Sequence, residues 1–360
     1  MPLSSGAYVS ALRWRQAEYQ ALLRLSESVK DRIVPLITIP PIEFDFEKEK
    51  LSKSVHEHVQ HFPERFFQKW DARPAWVALD ETIESGCMED GKHVGDYVFD
   101  GLRNFGAISI PALRLSAHPS MTAAVARAVA FDGHGIAVIT QLEDLTRSDT
   151  RARVLGLVHE ADFNIDLGRP NYEPYISFAI PLVRTLRNFG NLDSFRNLVL
   201  IGTAIPESMK LIARGSDEIP RHDWLFYRVL LSKLPPGLRR PAYGDHTIVH
   251  PGFTATMDMR MVRPAGKVLY TMSKAWGTRK GGAFVADRLQ MHNHCSIIVT
   301  DPKFEFRGKG FSYGDEYIAG CAVRENGTGN QTRWKEVGIN HHITTVVDDL
   351  AKLNAETSTA

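Results

Sequence analysis

The feature that most constrains this chain is an alternation. Short apolar runs bounded by glycine, proline and polar turns recur along it, and stretches with helical spacing lie between most of them. The runs are IVPLITI from Ile33, AWVALD from Ala75, AISIPALRLS from Ala107, GIAVIT from Gly135, DFNIDLG from Asp162, NLVLIG from Asn197, DHTIVHPG from Asp245 and KVLYTMSK from Lys267, eight in all. An uninterrupted apolar run between breakers reads as a strand buried on both faces, and such strands belong to parallel sheets covered by helices. SMTAAVARAVAFDGHG is typical of the intervening stretches: Ser120 is placed to cap its start and Gly133 to end it. Strand and helix in alternation give right-handed crossovers, and a count of eight favours a closed α/β (β/α)8 barrel over an open doubly wound sheet. Val34 to Ile39 is then expected as a central strand of a parallel barrel.

Two regions exceed a minimal barrel. The stretch from Pro206 to Tyr243 is longer than one crossover helix needs, and its Pro-Pro-Gly indicates an insertion or a bend. After Cys295 the pattern changes, which divides the chain into an expected barrel domain, 1–295, and a C-terminal appendage, 296–360. The appendage carries Gly-rich RGKGFSYGDEYIAG, polar ENGTGNQTRW and a closing helix expected from about His342. Ile343, Val346, Val347 and Leu350 share one face of that helix, and no flexible linker precedes the appendage, so it is expected to pack on the barrel.

Composition narrows the function. With 43 Lys and Arg against 42 Asp and Glu in 360 residues, nothing draws the whole chain to nucleic acid or to a membrane surface. No basic-then-apolar leader and no membrane-length apolar run is present, so a cytoplasmic protein is expected. Cys87, Cys295 and Cys321 are odd in number and far apart, which reads as reduced structural thiols rather than a disulfide framework or a zinc site.

In a barrel the strand ends and the loops after them share one face. Read in order, that face takes Glu43 and Asp45, then Asp80 and Glu81, Arg114, then Gln141, Glu143 and Asp144, Asp166 and Arg169, His250, and Lys274. Carboxylates such as Asp45, Glu81 and Asp144 serve equally well as caps of the following helices. Asp80, Arg114, Asp166 and Lys274 follow apolar strand residues directly, where no cap is needed. Asp80 and Asp166 are therefore the candidate catalytic pair, as general base or as ligands of a divalent metal, the one cofactor the pattern leaves open. Pro40 and Pro41 cannot continue the ladder, so they end the first run and hold IEFDFE over the barrel mouth.

SKAWGTRKGGAF, Ser273 to Phe284, follows the eighth run. Its small residues with Arg279 and Lys280, ahead of a helix expected from about Gly282, suit a phosphate-binding turn, with a Gly-rich surface turn as the competing reading. Arg114, Lys274, Arg279 and Lys280 are thus the candidate phosphate clamps. HNH at His292 to His294 stands at the end of an expected helix, which is the wrong context for a nuclease motif. His341 and His342 precede the closing helix, with Asn340 as its cap. No zinc-protease, serine-hydrolase or dinucleotide fingerprint is present.

YVSALRWRQAEYQAL, IVPLITIPPIEFD and FSYGDEYIAGCA with GNQTRWKEVGINHHIT resemble the phage-named "beta protein" family of bacteria and their viruses, from Tyr8 to about Leu353. The family carries no assigned activity, so the resemblance implies a setting, phage–host conflict, rather than a reaction. It draws attention to Trp14, Gln16, Glu18, Pro35, Gly314 and an appendage polar cluster of Tyr313, Asp315, Trp334, His341 and His342. Three functions remain: an enzyme or binder of a small phosphate-bearing substrate, such as a nucleotide or nucleic-acid end; a non-catalytic module recognising a protein partner or phage component; and, disfavoured by the neutral charge, a general nucleic-acid binder.

Overall fold

The computed structural model describes residues 3–4, 6–156, 161–252 and 263–358. In chain order the elements are β1 (Tyr8–Arg13), α1 (Gln16–Leu23), α2 (Glu27–Lys30), β2 (Leu36–Ile39), β3 (Phe44–Asp45), β4 (Lys50–Leu51), α3 (Val55–Val59), α4 (Phe62–Trp70), β5 (Ala75–Leu79), α5 (Val94–Asn104), β6 (Ser109–Arg114) and α6 (Pro119–Asp132). They continue with β7 (Ile136–Gln141), α7 (Ser148–Leu155), β8 (Ala161–Asp166), α8 (Tyr175–Phe189), β9 (Asn197–Gly202), β10 (Gly215–Pro220), α9 (His222–Lys233), β11 (Ala242–Asp245), β12 (Ala265–Thr271), β13 (Ala275–Ala283), α10 (Gln290–Thr300), α11 (Tyr313–Ala322) and α12 (Gln331–Ser358). The chain divides into two compact units: Met1–Trp14, Val34–Gly202 and Phe226–Asp245 form the first, and Arg15–Ile33, Thr203–Leu225 and His246–Ala360 the second. Residues 246–295, expected with the barrel, therefore cluster with the C-terminal helices.

The first unit is a closed barrel of eight strands in the order β1-β11-β9-β8-β7-β6-β5-β2, and every pairing in it is parallel. Val34–Ile39 is a barrel strand as expected, its ladder running over Leu36–Ile39 between β1 and β5. Two of the eight expected strands are corrected. The run from Asp245 is not a strand, since β11 ends at Asp245, and KVLYTMSK lies in a different, antiparallel sheet. Their places are taken by AYGD and by YVSALR at the start of the chain. Local signals hold at α6, which has Pro119 in its first turn and ends at Gly133 in the left-handed conformation, φ 65°. Its cap is His118, which accepts from the Ser120 N–H, rather than Ser120 itself.

The barrel lumen is filled by every second residue of seven strands. Val9 and Ala11, Val34 and Leu36, Trp76 and Ala78, Ile110 and Ala112, Ala137 and Ile139, and Val199 and Ile201 form one buried cluster, with Ala242 against it. The eighth strand, β8, supplies polar residues in the same phase. Trp76 Nε1 donates to Asp162 Oδ2 at 2.7 Å, and since two strands separate β5 from β8 this bond crosses the lumen. Asp162 also accepts from Asn197 Nδ2 at 2.6 Å and from both Arg196 Nε and Nη2, at 2.7 and 2.5 Å. A fully buried carboxylate is tolerable here because four donors replace its water. Asn164 and Asp166 follow in phase above it.

The second unit is built on the antiparallel sheet β10-β13-β12. The expected insertion after Pro206 is β10, paired with β13 over Gly215–Pro220. Val268, Tyr270, Phe284, Met291, Cys295, Ile298, Cys321, Trp334 and Val337 join the core between this sheet and the helices. Cys295 and Cys321 are free and buried there, while Cys87 of the first unit is free and exposed. Three expectations change. Residues 275–283 are strand, not a turn before a helix; His292 to His294 open α10 rather than close a helix; and α12 begins at Gln331, which leaves His341 and His342 in mid-helix and Asn340 uncapped of any helix start. Among the described residues no helix is long and apolar enough to cross a membrane.

Candidate functional site at the barrel mouth

The alternation that fills the lumen also sets what stands above it. One step beyond Ala11, Leu36, Ala78, Ala112, Ile139 and Asn164, the inward positions are Arg13, Thr38, Asp80, Arg114, Gln141 and Asp166. All six close the C-terminal ends of parallel strands, the end at which barrels of this class carry their chemistry. Register keeps them level: Arg13 lies opposite Thr38, and Gln141 opposite Asp166. A hydrophobic floor thus supports a polar ring of two arginines, two carboxylates, an amide and a hydroxyl.

The individual side chains differ in how fully they are engaged. Asp80 folds an Asx turn, with Oδ1 accepting from the Thr82 N–H at 3.2 Å and from Thr82 Oγ1 at 2.8 Å. Its Oδ2 has no hydrogen-bond partner among the described residues. Asp166 Oδ1 accepts from the Gly168 N–H at 2.9 Å. The Arg114 side chain makes no hydrogen bond or ion pair among the described residues, and it is half-buried. A guanidinium in that state keeps its five donors for a ligand, and its fork matches a phosphate or carboxylate.

Sequence reasoning placed Asp80, Arg114, Gln141 and Asp166 on this face, and all four share the inward phase. It missed Arg13 and Thr38. The signal for Arg13 was the Val9, Ala11, Arg13 alternation in YVSALR, a strand it did not count. Asp144 accepts from the Gln141 N–H at 2.9 Å at the start of a short 3-10 turn, whereas Asp45 accepts from the N–H groups of Glu47 and Lys48 at 3.0 and 3.2 Å in the turn between β3 and β4 and is not the cap of the following helix, which is Ser54. The loop after Pro40 and Pro41 forms the β3-β4 hairpin, with Phe44 and Phe46 exposed and edge-to-face at 5.3 Å.

The other three expected phosphate cations stand on the second unit. Lys274 is exposed in the tight turn between β12 and β13, where its carbonyl accepts from the Arg221 N–H at 2.9 Å. Arg279 Nη1 donates to Ser216 Oγ at 2.7 Å. Lys280 Nζ donates to the carbonyls of Met209, Lys210 and Ile212 at 2.9, 3.2 and 2.6 Å, which uses all three of its protons on backbone.

The appendage polar cluster is a buried network. Asp315 accepts from Tyr270 Oη at 2.7 Å, Ser312 Oγ at 2.5 Å and His341 Nδ1 at 2.8 Å. His341 Nε2 meets the Thr271 carbonyl at 2.8 Å. Thr345 Oγ1 lies 3.3 Å from the same nitrogen, and the ring stacks on Tyr270 at 3.9 Å between centroids. Burial pushes the Asp315 carboxyl up, but the His341 charge and the bonds from His341, Ser312 and Tyr270 outweigh it and hold it below its ordinary 3.8. An aspartate–histidine pair with a free outer nitrogen is a catalytic base; this one has none, and both residues are 0% exposed. His342 accepts at Nδ1 from Thr271 Oγ1 and Trp276 Nε1 at 3.0 and 3.3 Å. Tyr313 lies under the Arg24 guanidinium at 4.5 Å, and Trp334 Nε1 donates to the Thr328 carbonyl at 2.9 Å. The cluster holds the second unit's core together.

A groove of about 390 Å³ between α5 and α6 offers a further concavity, lined by Lys92, Arg103, Arg127 and Phe131. Its cations are already paired: Lys92 with Asp100 at 2.5 Å, Arg103 with Asp132 at 2.5 Å and Arg127 with Asp96 at 2.7 Å. The barrel mouth is the stronger site. The family model described as Beta protein matches the chain over residues 8–348. No curated protein matches it.

Proposed function

Since the chain belongs to the Beta protein family, which supplies no reaction, we propose from the mouth itself that the barrel binds a small phosphate-bearing substrate and acts on it. The substrate class is a nucleotide or a nucleic-acid end, and the setting is phage–host conflict. One observation carries the reading: Arg114 stands on β6 next to Asp80 on β5 and two strands from Asp166 on β8, all three in inward phase at the catalytic end of the barrel. Arg114 grips the phosphate through its fork. Asp80 and Asp166 are the residues that would hold a Mg²⁺ ion, since that ion takes one or two carboxylates and leaves the rest of its shell to substrate and water. Such an ion would supply Lewis acidity toward the phosphoryl group; Asp80 Oδ2, with no partner among the described residues, would accept a proton from a water that attacks phosphorus while the P–O bond to the leaving oxygen breaks and that oxygen takes a proton from solvent.

The test is a thermal-shift and calorimetric panel of divalent ions, nucleotides and sugar phosphates on the parent, Arg114→Met and Asp166→Asn. A ligand that raises the parent's melting temperature and loses that effect in both variants supports the reading. A second reading, a non-catalytic module for a protein partner, draws on the position of Lys274, Arg279 and Lys280 on the second unit. It gains if no phosphate ligand shifts the parent.

A further inference from the structure

One amide in the barrel lumen has an oxygen that no donor meets. Asn164 is 0% exposed on β8, in inward phase between Asp162 and Asp166, and its Oδ1 has no hydrogen-bond partner among the described residues. The two amide atoms are told apart by their surroundings. Nδ2 lies 3.4 Å from the Asp162 carbonyl, which can only accept, so the nitrogen leans toward the lower end of the strand and the oxygen is left on the mouth side. A buried acceptor without a donor costs stability. Folding alone gives no reason for it, because Ala112, Ala137, Ile139, Val199 and Ile201 hold the neighbouring inward positions with apolar groups. An apolar side chain at position 164 would continue that floor and orphan nothing.

Register sets what the oxygen stands near. Arg114 on β6 lies opposite Ile139 on β7, and Ile139 lies opposite Asn164 on β8. The unengaged guanidinium and the orphan oxygen therefore belong to one row of the ladder, with a single strand between them. Two strand spacings put their backbones on the order of 10 Å apart along the wall, and inward side chains close part of that gap. The positions beyond Asn164 toward solvent are ring side chains, among them exposed Gln141, so a ligand reaches Oδ1 by moving side chains rather than backbone.

The two groups are chemically complementary. Arg114 can only donate, and Asn164 Oδ1 can only accept. A ligand that satisfies both carries an anion at one end and a hydroxyl or amino donor several ångströms away, as the phosphate ester of a sugar or a nucleoside does. A site built to hydrogen-bond such a donor rejects an analogue lacking it far more strongly than an apolar pocket would, because the buried polar group is then left unpaired.

We propose that Asn164 is a specificity-determining residue of the mouth, its Oδ1 accepting a hydrogen bond from a sugar hydroxyl or base amino group of the ligand whose phosphate Arg114 holds. The ligand class is then a nucleoside or sugar phosphate, and the inference rests on the phosphate reading of the mouth.

The experiment is calorimetric titration of AMP, ribose 5-phosphate and phenyl phosphate into the full chain at pH 8, with Asn164→Leu and Arg114→Met beside the parent. The second ionisation of a phosphate monoester lies at about 6, so phenyl phosphate offers no donor at that pH. The parent is expected to bind AMP or ribose 5-phosphate at least about tenfold more tightly than phenyl phosphate. Asn164→Leu is expected to lose that preference, with phenyl phosphate held within about threefold and a ligand-free melting temperature equal to or above that of the parent. Loss for both ligands assigns the donor to the sugar, and loss for AMP alone assigns it to the base. If Asn164→Leu proves insoluble, Asn164→Ala reads the same split. Unchanged AMP and ribose 5-phosphate affinity in Asn164→Leu overturns the proposal, as does an equal fall for phenyl phosphate. Binding that Arg114→Met abolishes and Asn164→Leu leaves intact keeps the mouth reading and removes this inference; no binding of any of the three to the parent removes both.

Discussion

Replacing Asp315 by alanine should unfold the second unit more readily than almost any other single change. The carboxylate accepts three side-chain hydrogen bonds, from Tyr270, Ser312 and His341, and it is 0% exposed. Alanine strands the His341 Nδ1–H without an acceptor and leaves Tyr270 Oη with only the Arg307 N–H, at 2.9 Å. Removing one partner of a buried ion pair costs about 3–5 kcal/mol. At about 2–4 °C per kcal/mol for domains of this size, the melting temperature should fall by roughly 10 °C. Differential scanning calorimetry at pH 7 reads the loss directly. The pH dependence supplies a second check. Because the folded carboxyl is held below 3.8, its contribution is present at all pH values above about 4 and is lost as pH falls through the folded value. The part of the gap between parent and Asp315→Ala that this carboxylate contributes should therefore close in acid, as pH falls through the folded value. A variant within 1 kcal/mol of the parent at pH 7 would refute the account of this network as the unit's structural core.

Three further outcomes are expected. Asp162→Ala should destabilise the barrel by about 3–5 kcal/mol, because Arg196, Trp76 and Asn197 all lose their acceptor at once; urea unfolding followed by tryptophan fluorescence measures it, and a cost under 1 kcal/mol would contradict the lumen-crossing bond. Arg114→Met and Asp166→Asn should leave stability within about 0.5 kcal/mol of the parent, as changes at a wet strand end do, while ligand binding falls at least tenfold; a large drop in melting temperature would mark them as structural. Stability should rise between pH 8 and 10.5 by up to about 3 kcal/mol as Lys267, lowered from 10.5 to about 8, sheds a proton more readily in the folded state. Lys335 on α12 and Lys280 on β13 face it, so the comparison is with Lys267→Met, in which that part of the rise should vanish.

How much of this was legible in the sequence depends on the element. Buried parallel strands announce themselves as apolar runs, and six of the eight barrel strands were read that way. YVSALR escaped because Ser10 and Arg13 interrupt its apolar character, and AYGD because four residues ending in Asp look like a turn. KVLYTMSK is as apolar as any barrel strand, and burial on both faces is all that such a run reports; whether it pairs in parallel or antiparallel is decided by partners far away in sequence. Where a strand end was legible, as at Asp80, Arg114 and Asp166, so was the residue's place at the C-terminal end of its strand. The Arg279–Lys280 turn failed for one reason: Gly281 and Gly282, which suggested a turn, instead allow the strand to continue where Gln290 packs against it, since a Cβ at Gly281 would lie 1.8 Å from Gln290 Oε1.

The central claim is that the barrel mouth holds a phosphate through Arg114 with Asp80 and Asp166 at hand, and diffraction tests it most directly. Crystals of the full chain soaked with a nucleoside diphosphate and Mg²⁺ should show phosphate density within 3.2 Å of the Arg114 guanidinium, and a metal peak between that phosphate and at least one of the two carboxylates. Ligand bound at saturation elsewhere, with the Arg114 side chain still unengaged, would contradict the claim.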